Sequence, residues 1–140
     1  MAIKTSSLQV KTSGSTDIID ISGQVEKIVS RSSFSDGLVH LFIAGATAAL
    51  TTIESESGVI HDLKKAIERI APEDIPYDHD RRWGDGNGHA HVRAALLGPS
   101  LTIPLVNSRM LLGTWQQIVL CDFDNRPRTR EIIVQVHASE

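Results

Sequence analysis

Three of the chain's six histidines, His79, His89 and His91, fall in one short stretch, and Asp78, Asp80 and Asp85 accompany them. Neutral imidazoles beside carboxylates suit zinc or another divalent first-row metal. The carboxylates can ligate directly, or fix a histidine tautomer from behind. A metal held there lowers the pKa of bound water or neutralises a phosphate-bearing substrate. Spacing alone leaves a plainer reading open, in which these are solvated residues of a polar loop.

The backbone under them decides which histidines act together. In an extended segment His89 and His91 share a face, whereas on a helix they diverge by about 200°. Val92, Ala95 and Leu96 fall on one side of a helix over 89–97. A helix there favours one of the two histidines as a ligand. Other candidates are scattered. His61-Asp62 opens a helical stretch, and Glu54 ends a β-branched run, where a carboxylate serves as base or ligand or is simply exposed. With aromatics at only 4%, Trp115 belongs to the core or an interface, and Gln116 goes with it. Arg126 and Arg128 make either a fork for phosphate or carboxylate or a charged turn. Cys121 stands in an apolar strand with no basic neighbour in sequence, which reads as a buried, inert thiol.

These residues need elements to hold them. Residues 3–11 and 17–21 read as strands around the turn Ser13-Gly14-Ser15. Ser22 is placed to cap a helix with Val25, Ile28 and Val29 on one face. Leu38 to Ala44 is almost continuously apolar and Thr47 to Glu54 follows, which suggests strands covered on both sides. Ile60, Leu63, Ile67 and Ile70 recur at helical spacing, and Pro72 marks the helix end. Residues 71–88 show no apolar period and read as one long loop, the kind that often carries function. Segments 101–106, 110–112, 115–123 and 131–137 read as strands, with hairpin turns at Asn107-Ser108 and Asp124-Asn125. About eight strands and two or three helices result, and the run of consecutive strands favours antiparallel pairing. Gly84-Asp85-Gly86-Asn87-Gly88 lacks the Lys and the strand-to-helix setting of a phosphate loop.

With 140 residues, 41% hydrophobic and 22% charged, the chain fits one globular domain over 1–140. A net charge of −3 argues against a broad nucleic-acid surface; Arg126, Arg128 and Arg130 are the one local basic candidate. A single cysteine allows no intrachain disulfide. No signal peptide and no membrane-spanning apolar run is evident, so a cytoplasmic location is expected.

Several segments together resemble the YjbQ family. They are Thr47-Ala48-Ala49-Leu50-Thr51-Thr52-Ile53-Glu54, then Asp62, Tyr77-x-His79 and Asn87-Gly88-His89-Ala90-His91, in the family's order. Ser100-Leu101-Thr102-Ile103-Pro104, Gly113-Thr114-Trp115-Gln116-Gln117-Ile118 and Pro127-Arg128 follow. The resemblance runs from about residue 4 to 137. It implies an α+β fold, mainly antiparallel sheets packed as a sandwich with two or three helices, assembled as a homotrimer. It implies a site near subunit boundaries around His79 and His91, with Asp62, Glu54 and Asn87 close by. Trp115, Gln116 and Arg128 are then ligand-binding candidates, and His89 a further metal candidate. The cofactor implied is a divalent metal, zinc or magnesium, and the ligand a small phosphorylated molecule. Members are described as thiamine-phosphate synthases, joining a pyrimidine pyrophosphate to a thiazole phosphate; a non-catalytic metal- or anion-binding trimer and a metal-dependent phosphohydrolase are the alternatives. Two positions depart from the pattern. Many relatives carry a histidine near Gly45 or Ala46, and a glycine where Ser108 stands.

Overall fold

The computed structural model describes residues 1–138. In chain order the elements are β1 (Ala2–Thr12), β2 (Asp17–Asp20), α1 (Ser22–Ser32), β3 (Gly37–Ile43), β4 (Ala48–Ile53) and α2 (Ser57–Ile70). Then come α3 (Asp78–Trp83), α4 (Gly88–Leu97), β5 (Ser100–Val106), β6 (Arg109–Met110), β7 (Gln117–Asp122) and β8 (Arg128–Ala138). The strands form a five-stranded sheet, β1-β8-β3-β5-β6, and a three-stranded sheet, β2-β7-β4. Every pairing is antiparallel.

The alternation along β7 shows how the layers are joined. Ile118 and Leu120 enter a buried cluster shared with Leu41, Ile43, Val134 and Val136 of the large sheet and with Val25 and Val29 of α1. Val119 and Cys121 point the other way, into a second cluster with Phe123, Ile67 of α2, and Ala90 and Ala94 of α4. Successive side chains of a strand face opposite sides, so one strand serves two cores. Each such buried aliphatic side chain contributes roughly 1.5–3 kcal/mol. Burial also pushes the Cys121 thiol up to about 12, in keeping with an inert thiol.

Several expectations are corrected. β3 is covered on one face only: Val39, Leu41 and Ile43 are buried, while Leu38 and Phe42 are exposed. β7 is covered on both faces, and so is the first half of β4, where Ala48 and Leu50 enter one cluster and Ala49 the other. Segment 71–88 is not one loop, because α3 interrupts it; its six residues are too few and too polar to show an apolar period. The apolar stripe of α4 is its outer face, since Val92, Ala95 and Leu96 are exposed. Ser22 does not cap α1. Its N–H donates to Asp20 Oδ1 at 2.9 Å, and its Oγ accepts from the Ile118 N–H at 2.9 Å. Asp124-Asn125 is no hairpin, because β7 and β8 lie in different sheets. Trp115 precedes β7 and is exposed, not core.

Asn107-Ser108 is a tight turn between β5 and β6, with φ of 51° and 63° at the two positions. α2 is capped by Glu56, whose carboxylate accepts from the N–H groups of Gly58 and Val59 at 2.8 and 2.9 Å. Those two bonds hold its carboxyl below the usual range. Among the described residues no helix is long and apolar enough to cross a membrane.

Candidate functional site

The α3 to α4 segment folds back on itself tightly. Gly84 ends α3 at φ 68°, and its N–H donates to the Asp80 carbonyl at 2.8 Å. A Cβ on Gly88 would lie 2.7 Å from Tyr77 Cβ, so only glycine lets α4 start here. The Gly88 N–H donates to Asp80 Oδ1 at 2.9 Å, which fixes that carboxylate from the start of the next helix.

The turn gathers His79, Asp80 and Asp85, whose ligand atoms all lie within 4.8 Å of one another. His79 Nδ1 is 3.3 Å from Asp85 Oδ1 and 3.6 Å from Asp80 Oδ1. It is sealed from solvent yet makes no hydrogen bond. Metal–ligand bonds of about 2.0–2.2 Å set ligand atoms no more than roughly 4 Å apart, and the two distances from His79 to the carboxylates fall inside that limit. Asn87 sits beside them. With its amide nitrogen toward Asp85, it donates to both carboxylate oxygens at 3.0 and 3.3 Å. The His91 ring lies 4.4 Å from that of His79, tilted by 42°.

His89 does not join them. It is 1% exposed and tilted against Tyr77, with ring centroids 6.4 Å apart. Its Nδ1 has no hydrogen-bond partner. Burial, and then the nearby Arg93 cation, depress its pKa. The helix turns His89 inward and His91 outward, and among the described residues the close-set ligand atoms are those of His79, Asp80 and Asp85, without either of these two histidines. Asp78 also lies outside the cluster, pairing with Arg81 at 3.0 Å in the open.

A buried ionic network joins β1, β7 and β8 to the residue before β4. Arg130 Nε and Nη2 donate to the two oxygens of Asp122 at 2.8 and 2.9 Å, and Nη2 also reaches Thr47 Oγ1 at 2.7 Å. Thr12 donates to Asp122 at 2.6 Å and Thr47 to Asp124 at 3.0 Å. Burial works to raise both aspartates, but hydrogen bonds led by Arg130 at Asp122 and Arg128 at Asp124 outweigh it and hold both below the usual range. Arg128 spends Nε and Nη2 on Asp124 Oδ2, at 3.0 and 2.7 Å, so its fork is already engaged. From this turn Asn125 reaches out, and its Nδ2 donates to the Asp85 carbonyl at 2.7 Å.

The remaining candidates lie elsewhere. Glu54 and Trp115 line an open cleft with Asp20, Ser55, Glu56, Thr114 and Gln117. Gln116 accepts from the Gly113 N–H at 3.0 Å and donates to Thr52 at 3.2 Å, holding its own turn in place. Ala48, at the other end of β4, lines a different cleft together with His91. At about 3.3 Å per residue, β4 sets these two places roughly 20 Å apart within one chain. Asp62 is exposed on α2, and no hydrogen bond or ion pair joins it to the cluster among the described residues. In sequence Asn125 reads only as a turn residue and Arg130 only as part of a local basic group. The alternation Asp122-x-Asp124 and Arg128-x-Arg130 was the available signal, since such pairs share one face of an extended segment.

A family model described as UPF0047 protein YjbQ-like matches residues 6–139. A UPF0047 protein of Archaeoglobus fulgidus is 41% identical over 128 residues, covering 91% of this chain and 97% of that one. A UPF0047 protein of Methanothermobacter thermautotrophicus is 36% identical over 136 residues, covering 97% and 93%. Among solved structures, a YbjQ-like protein of unknown function from Sulfolobus solfataricus superposes with a TM-score of 0.89 at 29% identity, over 99% of this chain and 100% of that one. A hypothetical protein from Aeropyrum pernix gives 0.91 at 30% identity, over 97% and 99%.

Proposed function

The chain belongs to the UPF0047 family of YjbQ-like proteins, and from that premise we propose that it is a metal-assisted enzyme acting on a small phosphorylated molecule. The reaction is thiamine-phosphate synthase-like: a pyrimidine pyrophosphate joins a thiazole phosphate and pyrophosphate leaves. The observation that carries the reading is His79 Nδ1, buried and without a hydrogen bond, facing the carboxylates of Asp80 and Asp85. An unpaired buried nitrogen is costly unless something fills its place.

His79, Asp80 and Asp85 would hold the ion, zinc or magnesium. When bound, a divalent ion supplies positive charge against the departing pyrophosphate. The chain's own groups do the rest. The Gly88 N–H and the Asn87 amide aim the two carboxylates. His91 stands against His79 at the edge of a cleft, placed to hold or pass a proton. Assembly as a homotrimer would let Glu54 and Trp115 of one copy approach the histidines of another, which a single chain keeps apart. A cytoplasmic place for the protein goes with this reading.

The test is metal content of untagged protein by elemental analysis, followed by a product assay. One ion per chain, lost in His79→Ala together with thiamine phosphate formation, is expected. Metal-free protein with no turnover across several divalent ions overturns the proposal. A second reading, a non-catalytic metal- and anion-binding protein, is favoured by one observation: the cleft beside His91 contains no other titratable side chain. It predicts metal-dependent phosphate binding with no product formed.

A further inference from the structure

The cleft against His91 has a volume of about 210 Å³ and is lined otherwise by Gly45, Ala46, Ala48, Ala94, Ala95 and Pro99. Its wall is apolar on every side but one, and the polar side is the imidazole that lies 4.4 Å from His79. Resting on the site reading above, we propose that this cleft receives a single unfused ring of the ligand, whose anionic end lies toward His79, Asp80 and Asp85.

Size and composition argue for that class. A cavity of about 150 Å³ lined by aliphatic groups holds benzene. A volume near 210 Å³ therefore suits one substituted ring. His91 and Ala95 are one helical turn apart, so both face the cleft from the same side of α4. The imidazole offers an aromatic neighbour for a bound ring. The opposite wall is kept small by backbone and neighbour together. Gly45 has φ 141°, strained for any side chain, and a Cβ there would lie 3.3 Å from Arg130 Nη1. Arg130 is itself held by Asp122 and Thr47. The buried network thus preserves an open wall beside the histidines.

Ala46 and Ala95 are exposed, so Ala46→Leu and Ala95→Leu fill the cleft without entering the core. Calorimetry on the zinc-loaded full chain would compare inorganic phosphate, phenyl phosphate and 1-naphthyl phosphate. NMR would follow the Ala94 amide on adding phenol. Phenyl phosphate is expected to bind roughly 10-fold or more tighter than inorganic phosphate, and 1-naphthyl phosphate to lose that gain. Either leucine variant should erase the gain while inorganic phosphate binds as before, and the phenol shift should vanish with it. Equal binding of phenyl and inorganic phosphate, with both lost in His79→Ala, overturns the cleft and leaves the metal reading standing. A phenol shift removed by Ala95→Leu, with no phosphate bound at all, keeps the ring cleft and overturns the metal reading. No phenol shift and no phosphate binding overturns both.

Discussion

The side-chain amide of Asn125 donates to the main-chain carbonyl of Asp85 at 2.7 Å, so a turn between β7 and β8 holds the loop that carries a candidate metal ligand. The bond touches the loop's backbone and leaves the Asp85 carboxylate free. Asn125→Ala should therefore weaken zinc or magnesium binding by about 10-fold, the lower end of what outer-shell partners contribute. Thermal unfolding of the metal-free protein should hardly move, because the bond is exposed. Titration calorimetry on both forms tests this; unchanged metal affinity would refute it.

The pair Arg130–Asp122 is buried and doubly hydrogen-bonded. Arg130→Met strands a carboxylate in the interior and should cost about 3–5 kcal/mol in urea unfolding. Asp122 and Asp124 both titrate below their ordinary value of 3.8 when folded. The unfolded chain then binds more protons at acid pH. Their stabilisation is fully present above that value and is lost as pH falls through the folded values. Urea midpoints at pH 7 and pH 3 should differ sharply in the native protein and less in Arg130→Met. Equal differences in the two proteins would sink the argument.

His89 gives a second window. Its ordinary value is 6.5 and burial lowers it in the fold. The unfolded chain takes up a proton first, so stability declines as pH falls below about 6.5 and through the folded value. His89→Phe should flatten the stability curve between pH 7 and 5. An identical slope in that variant would show that His89 does not set it.

Ser108 stands at φ 63° in the turn between β5 and β6. A left-handed residue other than glycine costs about 1–2 kcal/mol, offset in part by glycine's greater freedom when unfolded. Ser108→Gly should stabilise the protein by about 0.5–1 kcal/mol, read as a raised urea midpoint. A lowered midpoint would mean that the serine contributes something beyond its backbone conformation.

How far the fold could be read in advance depended on what each residue's surroundings ask of it. The strand from Gln117 to Asp122 and helix α2 follow from apolar periodicity, because large aliphatic side chains at regular spacing have few other places to go. Helix α4 was legible as a helix, but the side bearing Val92, Ala95 and Leu96 is not the one that packs. Its packed face is Ala90, Ala94 and the glycine at its start, chosen for closeness to β4, and Arg93, whose guanidinium reaches Ala71 O at 2.9 Å and Glu68 at 2.5 Å. Hydrophobicity registers bulk and is silent on close approach. The histidine and aspartate grouping was legible from composition, and helical geometry foretold that His89 and His91 would part. Which of them meets His79 depended on the turn through Gly84 and Gly88. Asn125 lies far along the chain from Asp85, and nothing local announces their bond.

Strand β8 lies between β1 and β3 in the large sheet, with Ala2 opposite Ala138 along one edge and Gly37 opposite Ala138 along the other. A nascent chain that has already made β1 and β3 therefore leaves a slot between them, two unfilled edges awaiting a strand not yet synthesised. Closing that slot joins the most distant parts of the chain, the kind of contact that slows folding and leaves bare strand edges open to wrong partners. The same late strand supplies Arg130, so the buried ionic network with Asp122 and Thr47 can form only once the sheet has closed. On the ribosome, the large sheet should close only after β8 has emerged.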